Sequence, residues 1–326
     1  MVPSSPLAPF ILDCDTGRDD ALAIWYALLD NMPLCGVVAS YGNTPLANVV
    51  INCRRVLAAF PDRDIPVFQG ADAPLRGHRF FDDVVKPRQS ASGNGLCNID
   101  LPYDPLLTPC YAQDDLAANI EAIIAFIKAQ YTQQGRKLTY VITGPATNFA
   151  HICAVLGDDI HEYIERVVMM GGKFDALWDK LPFADFNIGA DPYAVDCILR
   201  CGLRIDFTAM NMTWPIVAPL DEVEALAAQT PLARRAQDIM IAHCRSFSPE
   251  PVFRFHDPAV MVALKSDAVF SPCALCVDLA DDGGMFGRLV AAPDSEPENA
   301  ALWTLGPDRF DVIKHELLTT LGLVRQ

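Results

Sequence analysis

Short apolar runs alternate with helical stretches along almost the whole chain, and that alternation narrows the possible folds more than any other feature. The run Pro9-Phe10-Ile11-Leu12-Asp13-Cys14-Asp15 reads as a buried strand, and Asp19 and Asp20 open a helical stretch. A strand at Leu34–Ser40, a helix over Leu46–Phe60 and a short strand at Ile65–Phe68 follow. The pattern resumes with helix Ala117–Gln130, strand Leu138–Ile142, helix Thr147–Leu156, strand Arg166–Met170, helix Pro192–Arg200 and strand Leu203–Thr208. Parallel strands need long crossovers, usually helical, and such a series closes as an open sheet covered on both faces. The expected fold is therefore α/β: a doubly wound, mostly parallel sheet with helices on both faces.

The remainder is expected to hold two helices across Leu220–His243, a helix at Ala259–Lys265, short strands at Leu275–Leu279 and Arg288–Ala291, and an amphipathic helix from Asp308. No internal repeat or low-complexity linker divides the chain, so residues 1–326 read as one catalytic domain, a length that α/β folds reach as one unit. Two long irregular stretches, Gly70–Asp115 and Lys173–Ile188, interrupt the alternation, and loops of that length in a compact domain are often functional.

Charge excludes one class of partner. The formal charge is −16 and no basic stripe appears, whereas nucleic-acid binders cluster Lys and Arg against phosphate. No apolar run is long enough for a membrane span. The eleven cysteines are odd in number and several lie in apolar runs (Cys53, Cys153, Cys197, Cys201), where a thiol behaves as a small hydrophobe. With no secretory h-region before Asp13, reduced thiols in a cytoplasmic protein are expected. Cys273 and Cys276 have CxxC spacing without a second pair or a nearby His, and read as strand residues.

The chemistry concentrates in Asp13-Cys14-Asp15-Thr16-Gly17-Arg18-Asp19-Asp20, which puts four carboxylates where a strand ends and a helix begins. Ligands of open parallel sheets bind beyond the carboxyl ends of the strands. Alternation along a strand puts Asp13 and Asp15 on one side. Crowded carboxylates repel unless a cation neutralises them, and oxygen-only ligands favour Ca²⁺ or Mg²⁺ over zinc. Helix capping explains Asp19 or Asp20 but not Asp13 and Asp15. Tyr41-Gly42-Asn43, Thr143-Gly144, Asp185-Phe186-Asn187 and His256-Asp257-Pro258 are expected along the same sheet edge. Singly each has a bland reading as a turn, a strand end or a cap.

In combination they match a family. The spacing Asp15-x₃-Asp19-Asp20, then Asn43, Thr143-Gly144, Met170-Gly171-Gly172, Phe186-Asn187 and His256-Asp257-Pro258, resembles the inosine–uridine-preferring nucleoside hydrolases, in order from about Phe10 to the C-terminal helix. The resemblance implies a homo-oligomer, dimer or tetramer, that cleaves a small nucleoside. It implies Ca²⁺ held by Asp15, Asp20, Asp257 and the Thr143 carbonyl, with Asp15 as general base. Asp19 would bind the 2′-hydroxyl, Asn43 and Asn187 would orient the sugar, Met170 would line its pocket, and Asp13 would support the geometry from behind. Such cleavage passes through an oxocarbenium-like state that carboxylates favour. His256 is the candidate acid for the leaving base, since an imidazole ordinarily titrates at roughly 6.5.

Departures from the family bear on the sugar's 5′ end and on the base. Asp185 stands where Glu is common and Asp179 where Asn is, both facing the 5′ end by resemblance. Ala91-Ser92-Gly93-Asn94-Gly95 replaces a His-Gly, and Trp214 replaces a His found in some members. Phe80, Phe81, Trp178, Trp214 and Phe255 are candidate stacking residues for the base. Two rivals start from the same residues. Asp13-Cys14-Asp15-Thr16 also fits the strand-end signature of haloacid-dehalogenase-type phosphohydrolases, with Asp13 as nucleophile, but that reading leaves Asn43 and His256-Asp257-Pro258 unexplained. A nucleoside or ribose binder that lost turnover through Asp185 and Asp179 is the other; a purely structural protein leaves the acidic cluster without purpose.

Overall fold

The computed structural model describes residues 7–103, 109–173, 184–246, 250–265, 270–280, 286–292 and 298–325. Nine strands form the central sheet: β1 (Phe10–Cys14), β2 (Leu34–Ala39), β3 (Val67–Gln69), β4 (Cys110–Tyr111), β5 (Leu138–Ile142), β6 (Ile164–Met170), β7 (Arg204–Thr208), β8 (Phe270–Cys273) and β9 (Ala300–Trp303). Their spatial order is β8-β9-β7-β6-β5-β1-β2-β3-β4. Every neighbouring pair is parallel except β8 with β9. The sheet is thus mixed but mostly parallel, as the alternation predicts.

Ten helices bear on the argument: α1 (Arg18–Leu29), α2 (Leu46–Leu57), α3 (Lys86–Ala91), α4 (Leu116–Gln134), α5 (Thr147–Leu156), α6 (Phe186–Ala190), α7 (Pro192–Leu199), α8 (Pro231–Ser246), α9 (His256–Ala263) and α10 (Phe310–Thr320). The two faces of β1 show why the strands read as continuous apolar runs. Phe10, Leu12 and Cys14 join a core with α1, α2, α8, α9 and α10, while Ile11 joins a second core with α4, α5 and α7. A strand covered on both faces has no polar alternation to display. Burying each large side chain contributes about 1.5–3 kcal/mol, and Trp25 of α1 also satisfies its polar atom, donating its indole N–H to the Val56 carbonyl of α2 at 2.9 Å.

The differences from expectation lie where local period is weak. Gly70–Asp115 is not wholly irregular: it contains a π-helical turn at Phe81–Val85, α3 and the two-residue strand β4. Strands β8 and β9 were not foreseen, and Cys273 ends β8 while Cys276 lies in a separate short strand, Leu275–Val277. Both segments are only four residues long, and β8 is partly exposed, so neither presents a long apolar run. Two helices do cross Leu220–His243, but a strand at Leu226–Ala228 separates them and pairs with Leu323–Arg325. No helix among the described residues is long and apolar enough to cross a membrane.

Candidate active site

From β1 the chain runs outward through β2, β3 and β4, then returns to the other side of β1 with β5, β6 and β7. The order therefore reverses between β1 and β5, and a crevice opens at the carboxyl ends of these two strands. Asp15 follows β1, Asn43 follows β2, Thr143 follows β5 and Met170 ends β6. Helix α9 brings His256 and Asp257 to the same edge. A cavity of about 540 Å³ opens there, lined by Asp19, Asn43, Thr143, Met170, Asp185, Asn187, His256 and Asp257 among others. Its volume falls within the usual range for a small-molecule site.

The acidic residues divide into three environments. Asp19, Asp20 and Asp257 each offer a carboxylate oxygen, all within 4.8 Å of one another, the one such group among the described residues able to hold a metal ion. Asp20 has a second task, since its Oδ2 accepts the Gly17 N–H at 2.9 Å and its Oδ1 accepts the Thr143 hydroxyl at 2.8 Å. It therefore caps α1 and also faces the cluster. Asp15 is fully buried and is gripped by Asn43, whose backbone N–H donates to Oδ2 at 2.6 Å and whose side-chain amide donates to Oδ1 at 2.9 Å. Behind the turn, the Thr16 hydroxyl sits between the thiols of Cys14 and Cys53, at 3.1 and 3.0 Å.

Asp13 belongs to neither group. Strand β1 ends at Cys14, so the alternation that would pair Asp13 with Asp15 stops between them. The Asp13 carboxylate accepts from the Tyr140 hydroxyl and the Asn148 amide, each at 2.9 Å, and it does not line the cavity. Asp15 does not line the cavity either, but it is held by Asn43, which does, and it feels Asp20, whereas Asp13 is held by Tyr140 and Asn148, which do not. That placement favours Asp15 over Asp13 as the residue facing substrate, against the phosphohydrolase reading.

Electrostatics follow from burial and crowding. Burial pushes the Asp20 carboxyl up to about 7, and Asp19 adds to the shift. Asp15 is held well above the ordinary carboxylate value by burial and then by Asp20, while Asn43 and Arg88 oppose this. Asp257 is raised by burial and by Asp19, Asp20 and Asp15. Asp13 rises to about 7 through burial alone, against its two hydrogen bonds. Burial acts oppositely on His256, lowering it to about 4. Its ring is therefore neutral at pH 7 and titrates well below the ordinary imidazole value on which the sequence reading rests. Its Nδ1 lies 2.7 Å from the Thr213 hydroxyl.

Asn187 donates its amide to the Thr143 carbonyl at 2.9 Å and to the Met170 carbonyl at 3.2 Å, tying the ends of β5 and β6 together. Asp185, buried beside it, caps α6 by accepting the Ile188 N–H at 3.1 Å. Of the candidate stacking residues, Phe80 lines the cavity, Phe81 packs on Tyr41 in a separate cluster and Phe255 is a core residue. Trp214 stands beside His256, with ring centroids 6.1 Å apart and the Arg254 guanidinium 4.0 Å above it. Asp179 and Trp178 lie outside the described residues. Sequence reasoning missed a set of charged wall residues: Arg18, Arg88, Lys173, His243, Glu250 and Arg254. Only Arg18 could have been found, since it lies inside the acidic motif.

Residues 10–312 match the family described as inosine-uridine preferring nucleoside hydrolase. The chain is 30% identical over 274 residues to the pyrimidine-specific ribonucleoside hydrolase RihA of Shewanella oneidensis, covering 80% of this chain and 79% of that one. It is 31% identical over 272 residues to RihA of Shewanella woodyi, covering 81% of each. The solved purine-preferring ribonucleoside hydrolase of Gardnerella vaginalis shares the fold with a TM-score of 0.74 at 22% identity, covering 96% of this chain and 99% of that one. With its mostly parallel sheet, its acidic cluster at the strand ends and a family match across nearly its full length, the chain belongs to the inosine-uridine preferring nucleoside hydrolases and is an enzyme of that type.

Proposed function

We propose that the chain is a calcium-dependent N-ribohydrolase that cleaves a ribonucleoside to ribose and free base. The observation carrying this reading is the meeting of Asp19, Asp20 and Asp257 at the reversal of strand order, with Asp15 close enough to raise Asp257. The donor set suits calcium: it is all oxygen, carboxylate-rich, buried and self-repelling, and a hard divalent cation relieves that repulsion. Asp15, Asp20, Asp257 and the Thr143 carbonyl would hold the ion, with Asp19 facing the sugar. Bound there, calcium would supply Lewis acidity toward water and the sugar diol.

The chain's own residues do the rest. Asp15, held by two donors from Asn43, takes the proton of the attacking water. Asp19 accepts from a ribose hydroxyl, and the carboxylates around the sugar favour the positive charge that develops as the glycosidic bond breaks. Asn43 and Asn187 border the sugar, and Met170 supplies an apolar floor. His256 acts as a neutral donor: in the tautomer in which the Thr213 hydroxyl donates to Nδ1, Nε2 carries the proton and would serve the departing base. Asp185, in the cavity wall, would face the 5′ end of the sugar.

Relatives divide between pyrimidine-specific and purine-preferring names, so the test must span both classes. Ribose release is measured from cytidine, uridine, inosine, adenosine and guanosine, with calcium and with excess chelator. Chelator-sensitive release is expected. Release unaffected by chelator refutes the calcium role, and tight nucleoside binding without release identifies a binder that lost turnover.

A further inference from the structure

We propose that Arg88 is a positioning residue for this site, acting through Asn43 on Asp15; the proposal rests on the reading that Asp15 does the chemistry. Asn43 holds the buried Asp15 carboxylate with two donors, one of which is its side-chain amide. An amide has two ends of nearly equal size, and a half-turn would aim its oxygen at the carboxylate instead. Nothing in Asn43 itself chooses between the two orientations. Arg88 does: its Nη2 donates to Asn43 Oδ1 at 2.5 Å. A guanidinium has donors and no acceptor, so only the oxygen end can face it. The nitrogen end is thereby turned toward Asp15 Oδ1, at 2.9 Å.

The guanidinium is itself held. It lies 4.0 Å from the centroid of the Phe186 ring, and Phe186 precedes Asn187, whose amide reaches the Thr143 carbonyl. Arg88 thus spans the crevice from the β2 side to the segment beyond β6. It comes from α3, inside the long segment between β3 and β4, which is also tied to α2 by Asn48 and Asn52, donors to the Gly93 and Asn94 carbonyls. One charged side chain therefore couples that segment to the carboxylate that must stay in register. Lysine could supply the charge but not a planar fork that both stacks and donates in a fixed direction.

The test uses the full chain loaded with calcium and the best nucleoside of the panel, in four variants: R88Q, R88K, N43A and R88Q/N43A. R88Q should lower kcat on the order of 10- to 100-fold, the worth of one charge-assisted hydrogen bond, with KM nearly unchanged. R88K should recover only part of the loss. R88Q should cost little more once Asn43 is already alanine, because both changes remove the same constraint. A raised KM at unchanged kcat, or losses that multiply in the double variant, would mean that Arg88 touches substrate directly and would overturn the proposal. A crystal structure of R88Q reads the same question without turnover. An Asn43 amide turned away from Asp15 is expected, and one still bonded to it sinks the proposal whether or not the wild type releases ribose.

Discussion

Replacing Gly42 with alanine should disable the enzyme without replacing any of the proposed site residues. Gly42 follows β2 with φ of +156°, a backbone region that side chains resist, and it packs directly on the Asp15 carboxylate. A Cβ built there would lie 2.7 Å from Asp15 Cγ and 2.8 Å from its Cβ, and closer still to Oδ2. Asp15 cannot retreat along the chain, because a Cβ on Gly144, on its other side, would already sit 2.9 Å from the Asp15 backbone nitrogen. The carboxylate must swing, and both hydrogen bonds from Asn43 are lost. At about 1.5–3 kcal/mol for each bond to a charged group, the two together represent about 3–6 kcal/mol of fixed geometry. If that geometry is needed in the transition state, kcat/KM falls by about 10² to 10⁴. The assay is ribose release at saturating calcium, run below the melting transition followed by circular dichroism. Gly77→Ala is the control, because a Cβ there meets nothing within 4 Å. A Gly42→Ala enzyme as active as the Gly77→Ala control would refute the claim that Asp15 is pinned and that its position matters.

Two further outcomes follow from the same geometry. In chelator, stability should fall as pH rises from about 4 to about 7, because folded Asp13 and Asp20 keep their protons to about 7 while the unfolded chain gives them up near the ordinary carboxylate value of 3.8. Asp15 and Asp257 are also raised and push the same way, against His256 and His243, whose lowering to about 4 makes stability rise with pH. Asp185, Asp191 and Asp206 are raised as well, and His78 and His151 lowered, so seven carboxylates stand against four imidazoles and leave a falling curve. Urea titrations across that range read it, calcium should flatten it, and a curve rising with pH in chelator would contradict the assignment. Asp185→Glu should lower stability by about 1 kcal/mol, since the longer side chain loses the N-cap bond to Ile188; an unchanged urea midpoint would show that the cap carries no weight.

The sequence and the structure agree on placement where a candidate site residue sits at the end of a regular element. Asp15, Asn43, Thr143 and Met170 each follow or end a strand whose apolar run is plain, and His256 and Asp257 open a helix, so a reading of local period already brings them to one edge. Asp13 shows the limit of that reasoning: a two-residue alternation holds only while the strand lasts, and β1 stops one residue later. The wall of Arg88, Lys173 and Arg254 shows a different limit. Their place depends on the path of segments with little period, and a path of that kind is set by contacts between residues far apart in the chain. The carboxylates stand out in the sequence because four in eight residues is costly without a reason. The cation that fixes Asn43 over one of them sits instead in a surface-like stretch, Lys86-Pro87-Arg88-Gln89-Ser90, where a charge needs no explanation. Only the fold makes it unusual, by drawing Arg88 partly out of solvent between Asn43 and the Phe186 ring. Burial lowers its affinity for a proton, and the neighbouring Asp15, Asp19 and Asp185 restore part of it. A half-buried charge is retained where its surroundings match it, and the matching charges here are carboxylates that the sequence had already marked.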